Sequence, residues 1–306
     1  QFPGAKWFSG ARLNYAENAL RNRSDKTALI SRLENGSRKT LSYDELYQQV
    51  AECAAALRQS GVVAGDRVAG FMPNIPETVV AMLATASIGA IWSSCSPDFG
   101  INGVMDRFGQ IEPKVLFGCD GYFYNGKTID CMPRMKEIVS NINSIQQLVI
   151  VPLTGNSPVF EQIPTATLYS DFLISENTPP LVFEQLPFDH PLFIMYSSGT
   201  TGVPKCIVHS AGGTLIQHLK EQRLHTDLQE EDILFYFTTC GWMMWNWLVS
   251  GLASEATLVL YDGSPFYPQP ASLIDMAEQE QASIFGTSAK YIAALEKAGV
   301  KPSETH

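Results

Sequence analysis

The stretch Leu192-Phe-Ile-Met-Tyr-Ser-Ser-Gly-Thr-Thr-Gly-Val-Pro-Lys205 indicates the fold. Its first part, residues 192–197, is an apolar run with the length of a buried strand. The strand leads into a turn rich in hydroxyls and glycines. In open sheets of parallel strands, ligands bind at the carboxyl ends of the strands. The sequence therefore predicts a ligand-binding turn after this strand.

The turn has the chemistry of a phosphate-binding loop. Its hydroxyl-bearing residues and its glycines are Ser197, Ser198, Gly199, Thr200, Thr201 and Gly202. The glycines let the backbone approach a ligand closely, and Lys205 adds a cation. The loop is not that of the P-loop kinases and triphosphatases, because Cys206 and not Ser or Thr follows the lysine. A polar turn without a ligand is the alternative interpretation.

Strands and helices alternate on both sides of this loop. The predicted strands are 67–72, 90–94, 114–119, 147–151, 192–197, 233–238, 257–261 and 282–286. The predicted helices are 46–57, 76–89, 103–111, 132–142, 213–222, 243–252, 273–281 and 289–298. A capping box, Ser42 with Glu45, precedes the first helix. The alternation predicts an α/β fold of βαβ units with parallel sheets covered by helices.

A segment rich in Pro, Ser, Thr and Asn interrupts this alternation at residues 152–187. We interpret it as a junction with little regular structure. The prediction is a first α/β subdomain at 1–151 and a second, incomplete α/β subdomain at 188–306 that carries the phosphate loop. A cleft is expected between the two.

The charge and the apolar content of the chain exclude some classes of binding partner. With 21 Lys and Arg against 31 Asp and Glu, the formal net charge is −10, which argues against nucleic acid or an anionic membrane as a partner. The apolar stretch 241–260 is interpreted as buried core and not as a membrane span. No signal-peptide pattern is seen, and no Cys/His cluster has zinc spacing. These features favour a cytosolic protein with no structural metal.

The ordered string Ser-Ser-Gly-Thr-Thr-Gly-x-Pro-Lys at 197–205 resembles the phosphate-loop signature of the adenylate-forming superfamily. That superfamily includes acyl-CoA synthetases, nonribosomal peptide adenylation domains and luciferases. The resemblance implies that Thr200, Thr201, Gly202 and Lys205 contact the β- and γ-phosphates of ATP, with Thr200 and Lys205 as the catalytic candidates. It also implies Mg²⁺ and coenzyme A, and a reaction through an acyl-adenylate.

Three further parts of the chain resemble acyl-CoA synthetases that act on short acids: residues 7–18, residues 206–213, and residues 238–250 together with 258–265. By this resemblance Met243 and Met244, with Trp242 beside them, should line the pocket for the acid. The alternative is that this aromatic stretch is helix core. The implied acid is acetoacetate. Acetate and propionate are the alternatives, although residues 243–247 differ from the pattern of acetate enzymes.

Two other residues receive roles from the resemblance. Lys127 is expected to contact the phosphates of CoA, and His209 is expected to pack near the ligand. Family members continue past residue 306 with an adenine motif, an acidic Mg²⁺ ligand, a ribose-binding Asp and a small carboxyl-terminal domain. The chain is therefore expected to be an amino-terminal fragment that is nearly inactive alone. A non-catalytic nucleotide-binding remnant is the other alternative.

Overall fold

The computed structural model describes residues 4–155, 158, 160, 163–197 and 202–305. The strands of this part are β1 (Arg12–Leu13), β2 (Thr27–Leu33), β3 (Arg38–Ser42), β4 (Arg67–Phe71), β5 (Ile91–Cys95), β6 (Val115–Cys119), β7 (Gly121–Tyr124), β8 (Lys127–Asp130), β9 (Gln147–Val151), β10 (Ala166–Leu168), β11 (Leu186–Pro187), β12 (Pro191–Ser197), β13 (Lys205–Ser210), β14 (Ile233–Tyr236), β15 (Thr257–Asp262) and β16 (Ile284–Gly286). The helices are α1 (Tyr15–Ala19), α2 (Tyr43–Gln59), α3 (Pro76–Ser87), α4 (Ile101–Ile111), α5 (Met132–Asn141), α6 (Tyr169–Phe172), α7 (Ala211–Lys220), α8 (Met243–Val249), α9 (Ser272–Gln279), α10 (Ala289–Lys297) and α11 (Pro302–Thr305).

Two main sheets organise these elements. The first has the strand order β10-β9-β6-β4-β5-β12-β13 and is parallel except for its last pair, β12 with β13. The second has the order β16-β14-β15-β2-β3 and is parallel except for its last pair, β2 with β3. Mixed sheets of this kind often carry one antiparallel strand at an edge. The predicted α/β class with parallel sheets is confirmed.

The predicted helices and strands are found close to their expected positions, and the capping box is present. The Ser42 hydroxyl accepts from the Glu45 amide, and the Glu45 carboxylate accepts from the Ser42 amide. The sequence did not predict the hairpins β2–β3, β7–β8 and β12–β13. One strand of each hairpin, β3, β8 or β13, is largely exposed, so its apolar periodicity is weak.

The sheets do not follow the predicted division of the chain at 151 and 188. β2 and β3, from the first predicted subdomain, lie in the second sheet beside β15. β12 and β13, from the second predicted subdomain, complete the edge of the first sheet, where Phe193 pairs with Trp92 of β5. The reason is that backbone pairing joins strands that are distant along the chain, and apolar periodicity carries no information about such partners. The interval 152–187 carries only short elements within its described residues, among them β10 at the other edge of the first sheet.

Helix α3 belongs to the large hydrophobic core and packs against α1, α2, β4 and β5. Every residue of Pro76–Ser87 except Glu77 is buried, as expected for a helix that is apolar on all sides. Its buried hydroxyls are satisfied locally, because Thr78 donates to the Pro73 carbonyl and Thr85 to the Ala81 carbonyl.

The apolar stretch 241–260 contains α8, a 3₁₀ turn at Ser250–Ser254 and most of β15, and much of it is buried. In the described ranges, no helix combines the length and the apolar character needed to cross a bilayer. Five of the six cysteines are buried, and Cys206 is exposed at the start of β13.

Asn14 fastens the beginning of the chain to α3. The side-chain oxygen of Asn14, Oδ1, caps α1 by accepting from the backbone amides of Ala16 and Glu17. Its amide nitrogen lies 3.0, 3.1 and 2.9 Å from the carbonyl oxygens of Ala86, Ser87 and Glu184. One fully buried side chain thereby joins three separate segments.

Replacing Asn14 with Ala should lower the free energy of unfolding by about 3 kcal/mol. The change removes three side-chain hydrogen bonds to backbone carbonyls, each worth roughly 0.5–1.5 kcal/mol, and removes a helix cap. Urea unfolding followed by far-ultraviolet circular dichroism measures the loss. The exposed Asn141→Ala is the control and should change stability by less than about 0.5 kcal/mol. Equal stability of the two variants would contradict this role for Asn14.

Candidate functional site

The predicted phosphate loop connects two antiparallel strands at the edge of the first sheet. β12 ends at Ser197 and β13 begins at Lys205, and these two residues are partners in the register. Ser198, Gly199, Thr200 and Thr201 lie outside the described residues. Gly202 has a φ of +91°, a left-handed conformation that favours glycine, and among the described residues that are not its chain neighbours none has an atom within 4 Å of the position that a Cβ would take. Lys205 is exposed at the start of β13.

A cavity of about 830 Å³ opens along the same strand. Val208, His209 and Ser210 of β13 form one side of it, and the other walls come from α7, α8, β14 and β16. Its apolar lining includes Val208, Leu234, Met243, Met244, Trp247 and Ile284. Its polar lining includes His209, Thr214, Gln217, His218 and Glu221. An apolar cavity with a few polar groups is the usual form of a site for a small molecule.

The structure brings some of the sequence-predicted residues to this cavity and leaves others away from it. Met243 and Met244 line it, and so does His209, whose pKa is lowered by burial. Trp242 is not among the lining residues. It stands at the N-cap position of α8 and is 60% exposed.

Lys127 is also not among the lining residues, and it is exposed at the start of β8. The turn before it is fixed by Glu34, whose carboxylate accepts from the amides of Asn125 and Gly126. In the described part of the chain, no group of three or more His, Cys, Asp or Glu side chains is arranged to hold a metal ion.

A buried polar network, which sequence reasoning missed, fixes α8 against both sheets. The backbone amide of Asn74, just after β4, donates to the Asp262 carboxylate at the end of β15, at 2.7 Å. The indole N–H of Trp245 on α8 donates to Asn74 Oδ1 at 2.8 Å. Asp262 is deeply buried, and this burial raises its pKa to about 7. Asn74 thus positions the helix that begins with Met243 and Met244.

A second missed network lies behind α7. Ser250 Oγ is 2.7 Å from His218 Nδ1 and 2.6 Å from the hydroxyl of Tyr15. Burial lowers the pKa of His218 to about 4, so its ring is neutral at physiological pH. The sequence signal for this network was slight. It consisted of one polar residue, His218, on the apolar face of a predicted helix.

Comparison with known proteins identifies the protein family of the chain. Residues 16–305 match the family model of the AMP-binding enzymes, and the chain belongs to that family. Within the family, it is 56% identical over 303 residues to an acetoacetyl-coenzyme A synthetase of Rhizobium meliloti (strain 1021), an alignment that covers 99% of this chain and 46% of that protein. It is 52% identical to the acetoacetyl-CoA synthetase of Mus musculus, with 98% and 46% covered.

Two further relatives extend the comparison. The chain is 43% identical to a malonamoyl-CoA synthetase of Penicillium aethiopicum, with 97% of this chain and 44% of that protein covered. The solved structure of acetoacetyl-CoA synthetase from Streptomyces lividans superposes with a TM-score of 0.94 at 47% identity, covering 99% of this chain and 47% of that one. The chain therefore spans about half the length of the relatives that it matches.

Asp262→Asn should flatten the pH dependence of stability between about pH 4 and pH 7. The folded protein keeps the Asp262 proton up to about pH 7, whereas the unfolded chain loses it near pH 3.8. The free energy of unfolding therefore falls as the pH rises through this window, by up to about 4 kcal/mol for this one group. Asn cannot ionise, so the variant lacks this fall.

Urea unfolding at a series of pH values measures the difference between variant and wild type. The exposed Asp25→Asn serves as the matched control and should follow the wild-type profile. Parallel profiles for Asp262→Asn and wild type would contradict the raised pKa of Asp262.

Proposed function

We propose that the chain is the amino-terminal part of an ATP-dependent acid–thiol ligase that converts acetoacetate, ATP and CoA to acetoacetyl-CoA, AMP and diphosphate. The observation that carries this proposal is the single strand β13. It begins at Lys205 of the phosphate loop and lines the apolar cavity three residues later, at Val208. At about 3.3 Å per residue, this spacing is roughly 10 Å. A phosphate chain and a small acid bound at these two places would be neighbours.

The first proposed step joins the acid to the nucleotide. A carboxylate oxygen of the acid attacks the α-phosphorus of ATP, and diphosphate leaves with the electron pair of the broken P–O bond. Lys205 and the loop donors would hold the β- and γ-phosphates and stabilise the charge that develops on diphosphate. Mg²⁺ enters with ATP as part of the substrate, bound to phosphate oxygens. The loop residues proposed for this work, besides Lys205, are Ser197, Ser198, Gly199, Thr200, Thr201 and Gly202.

In the second proposed step, the thiol of CoA attacks the acyl carbonyl, a thioester forms and AMP leaves. Lys127, exposed at the start of β8, is the proposed contact for CoA phosphates, since a lysine ammonium suits an anionic ligand. We place the reaction in the cytosol, a compartment that keeps thiols reduced.

The choice of acid rests on the relatives and on the cavity. The names of the relatives specify acetoacetyl and malonamoyl groups, and in both groups a second, uncharged carbonyl stands two bonds from the activated carboxyl carbon. The cavity is apolar, with adaptable methionines at positions 243 and 244. Acetate and propionate lack the second carbonyl, and we propose them as poor substrates. We further propose that Trp242 borders the acid from the rim of the cavity.

Lys205→Gln in the full-length gene product should lower kcat/KM for ATP about 10- to 100-fold. The loss corresponds to one charge-assisted contact of roughly 1.5–3 kcal/mol with the phosphates. Acetoacetate-dependent ATP–diphosphate exchange measures it. Lys297→Gln, which removes an exposed lysine of α10, is the control and should behave as wild type.

The same assay separates the proposal from its alternatives. A wild-type enzyme that exchanges diphosphate faster with acetate or propionate than with acetoacetate would overturn the choice of acid. A full-length protein that binds ATP but shows no exchange with any of these acids would favour a non-catalytic nucleotide-binding role.

A further inference from the structure

The side chain of Gln110, near the end of α4, contacts the phosphate loop on both sides of Lys205. Its amide nitrogen donates to the backbone carbonyl of Pro204 at 2.9 Å. Its amide oxygen accepts from the thiol of Cys206, whose sulfur lies 3.7 Å away. The two contacted residues come directly before and directly after Lys205 in the chain. One side chain from a helix outside the loop therefore holds the short segment that carries the proposed phosphate-binding lysine.

The amide group of Gln110 is fully engaged in hydrogen bonds. A primary amide has two N–H donors and one acceptor oxygen. Besides the Pro204 carbonyl, the amide nitrogen donates to the carbonyl of Asp106, one turn earlier on α4. The oxygen accepts from Cys206. Because these three partners fix the amide in one orientation, its two contacts with the loop act together.

A second side chain of α4 contacts the strand that enters the loop. The guanidinium carbon of Arg107 lies 5.5 Å from the centre of the Tyr196 ring, within the range of a cation–π interaction. Tyr196 is the register partner of Cys206, and its hydroxyl lies 3.0 Å from Ser93 Oγ. Arg107 and Gln110 are three residues apart and so share one face of the helix. Helix α4 therefore holds both strands that flank the loop.

The alternation of side chains along β13 gives these contacts a direction. Neighbouring side chains of a strand point to opposite faces of the sheet. Lys205 therefore points away from the face on which Gln110 holds Cys206. It shares its face with Ser197, its partner in the register, and with His209, which lines the cavity. The contacts made by α4 thus leave the lysine on the side of the sheet where the cavity lies.

We propose that Gln110 is a positioning residue of the phosphate loop, which acts through Lys205 by keeping its ammonium turned toward the phosphates of ATP. This inference rests on the proposed function and deepens it, because it gives a helix outside the loop a part in nucleotide binding. The physical basis is pre-organisation. A lysine on a backbone that is already fixed loses less conformational freedom when it binds its ligand.

Gln110→Leu in the full-length enzyme removes both contacts with little change in side-chain size. In acetoacetate-dependent ATP–diphosphate exchange it should raise KM for ATP about 3- to 10-fold, as expected when one or two exposed hydrogen bonds are lost. KM for acetoacetate should stay within about twofold of wild type, since the contacts concern the nucleotide alone. Gln146→Leu, the same change at an exposed glutamine between α5 and β9, is the matched control and should keep both KM values.

A double-mutant cycle tests whether Gln110 acts through Lys205. In the Lys205→Gln background, the further change Gln110→Leu should raise KM for ATP by less than about twofold, because the lysine that Gln110 positions is gone. A full rise of about 3- to 10-fold in that background would give Gln110 a role independent of the lysine and would overturn the inference.

The KM values do not depend on how much of a preparation is folded, so partial unfolding of a variant does not obscure the result. An unchanged KM for ATP in Gln110→Leu, in an enzyme that still performs the exchange, overturns the inference and leaves the proposed function standing. An equal rise in KM for ATP and for acetoacetate assigns Gln110 a general structural role and also overturns it. A wild-type enzyme without acetoacetate-dependent exchange overturns the proposed function and the inference together.

Discussion

A single buried asparagine connects the parts of the molecule that make up the site. Asn74 follows a strand of the first sheet, receives its partner Asp262 from the end of a strand in the second sheet, and accepts from Trp245 on α8. The two sheets and the helix that carries Met243 and Met244 therefore meet at one residue, which donates through its backbone amide and accepts through its side-chain oxygen. Because hydrogen bonds in a dry interior are directional and costly to leave unmade, this contact constrains the relative placement of all three.

Strand β13 brings the phosphate loop and the cavity together. The strand is the antiparallel edge of the first sheet, and its residues 208–210 face elements packed on the second sheet. The phosphate loop is thus carried by one sheet while the opposite walls of the cavity belong to α8, β14 and β16. A site built at such a boundary can hold two ligands side by side, one on each sheet's elements. The proposed transfer of an acyl group onto a nucleotide requires such an arrangement.

The wall of the cavity combines apolar side chains with a few polar groups. Methionines at positions 243 and 244 can fit an acid of irregular shape, and they provide little discrimination between similar acids. Discrimination requires groups that lose a hydrogen bond when the wrong acid binds. Behind α7, the buried hydrogen bonds from Tyr15 through Ser250 hold His218 in one orientation.

The sequence by itself determined the alternation of helices and strands and the capping box at Ser42, and it predicts phosphate-binding chemistry for the loop that ends in Lys205. These features are local, since the periodicity of apolar residues, helix capping and turn chemistry each depend on a few neighbouring residues. Through a resemblance between short segments it also predicted that Met243 and Met244 line a pocket, and both line the cavity. Only the tertiary structure decided that β2 joins β15, that Trp242 stands outside the lining of the cavity, and that Asn74 joins Trp245 of α8 to Asp262 of β15. The physical reason is that residue periodicity encodes which face of an element is buried, whereas the partner on that face is chosen by packing between segments far apart in the chain.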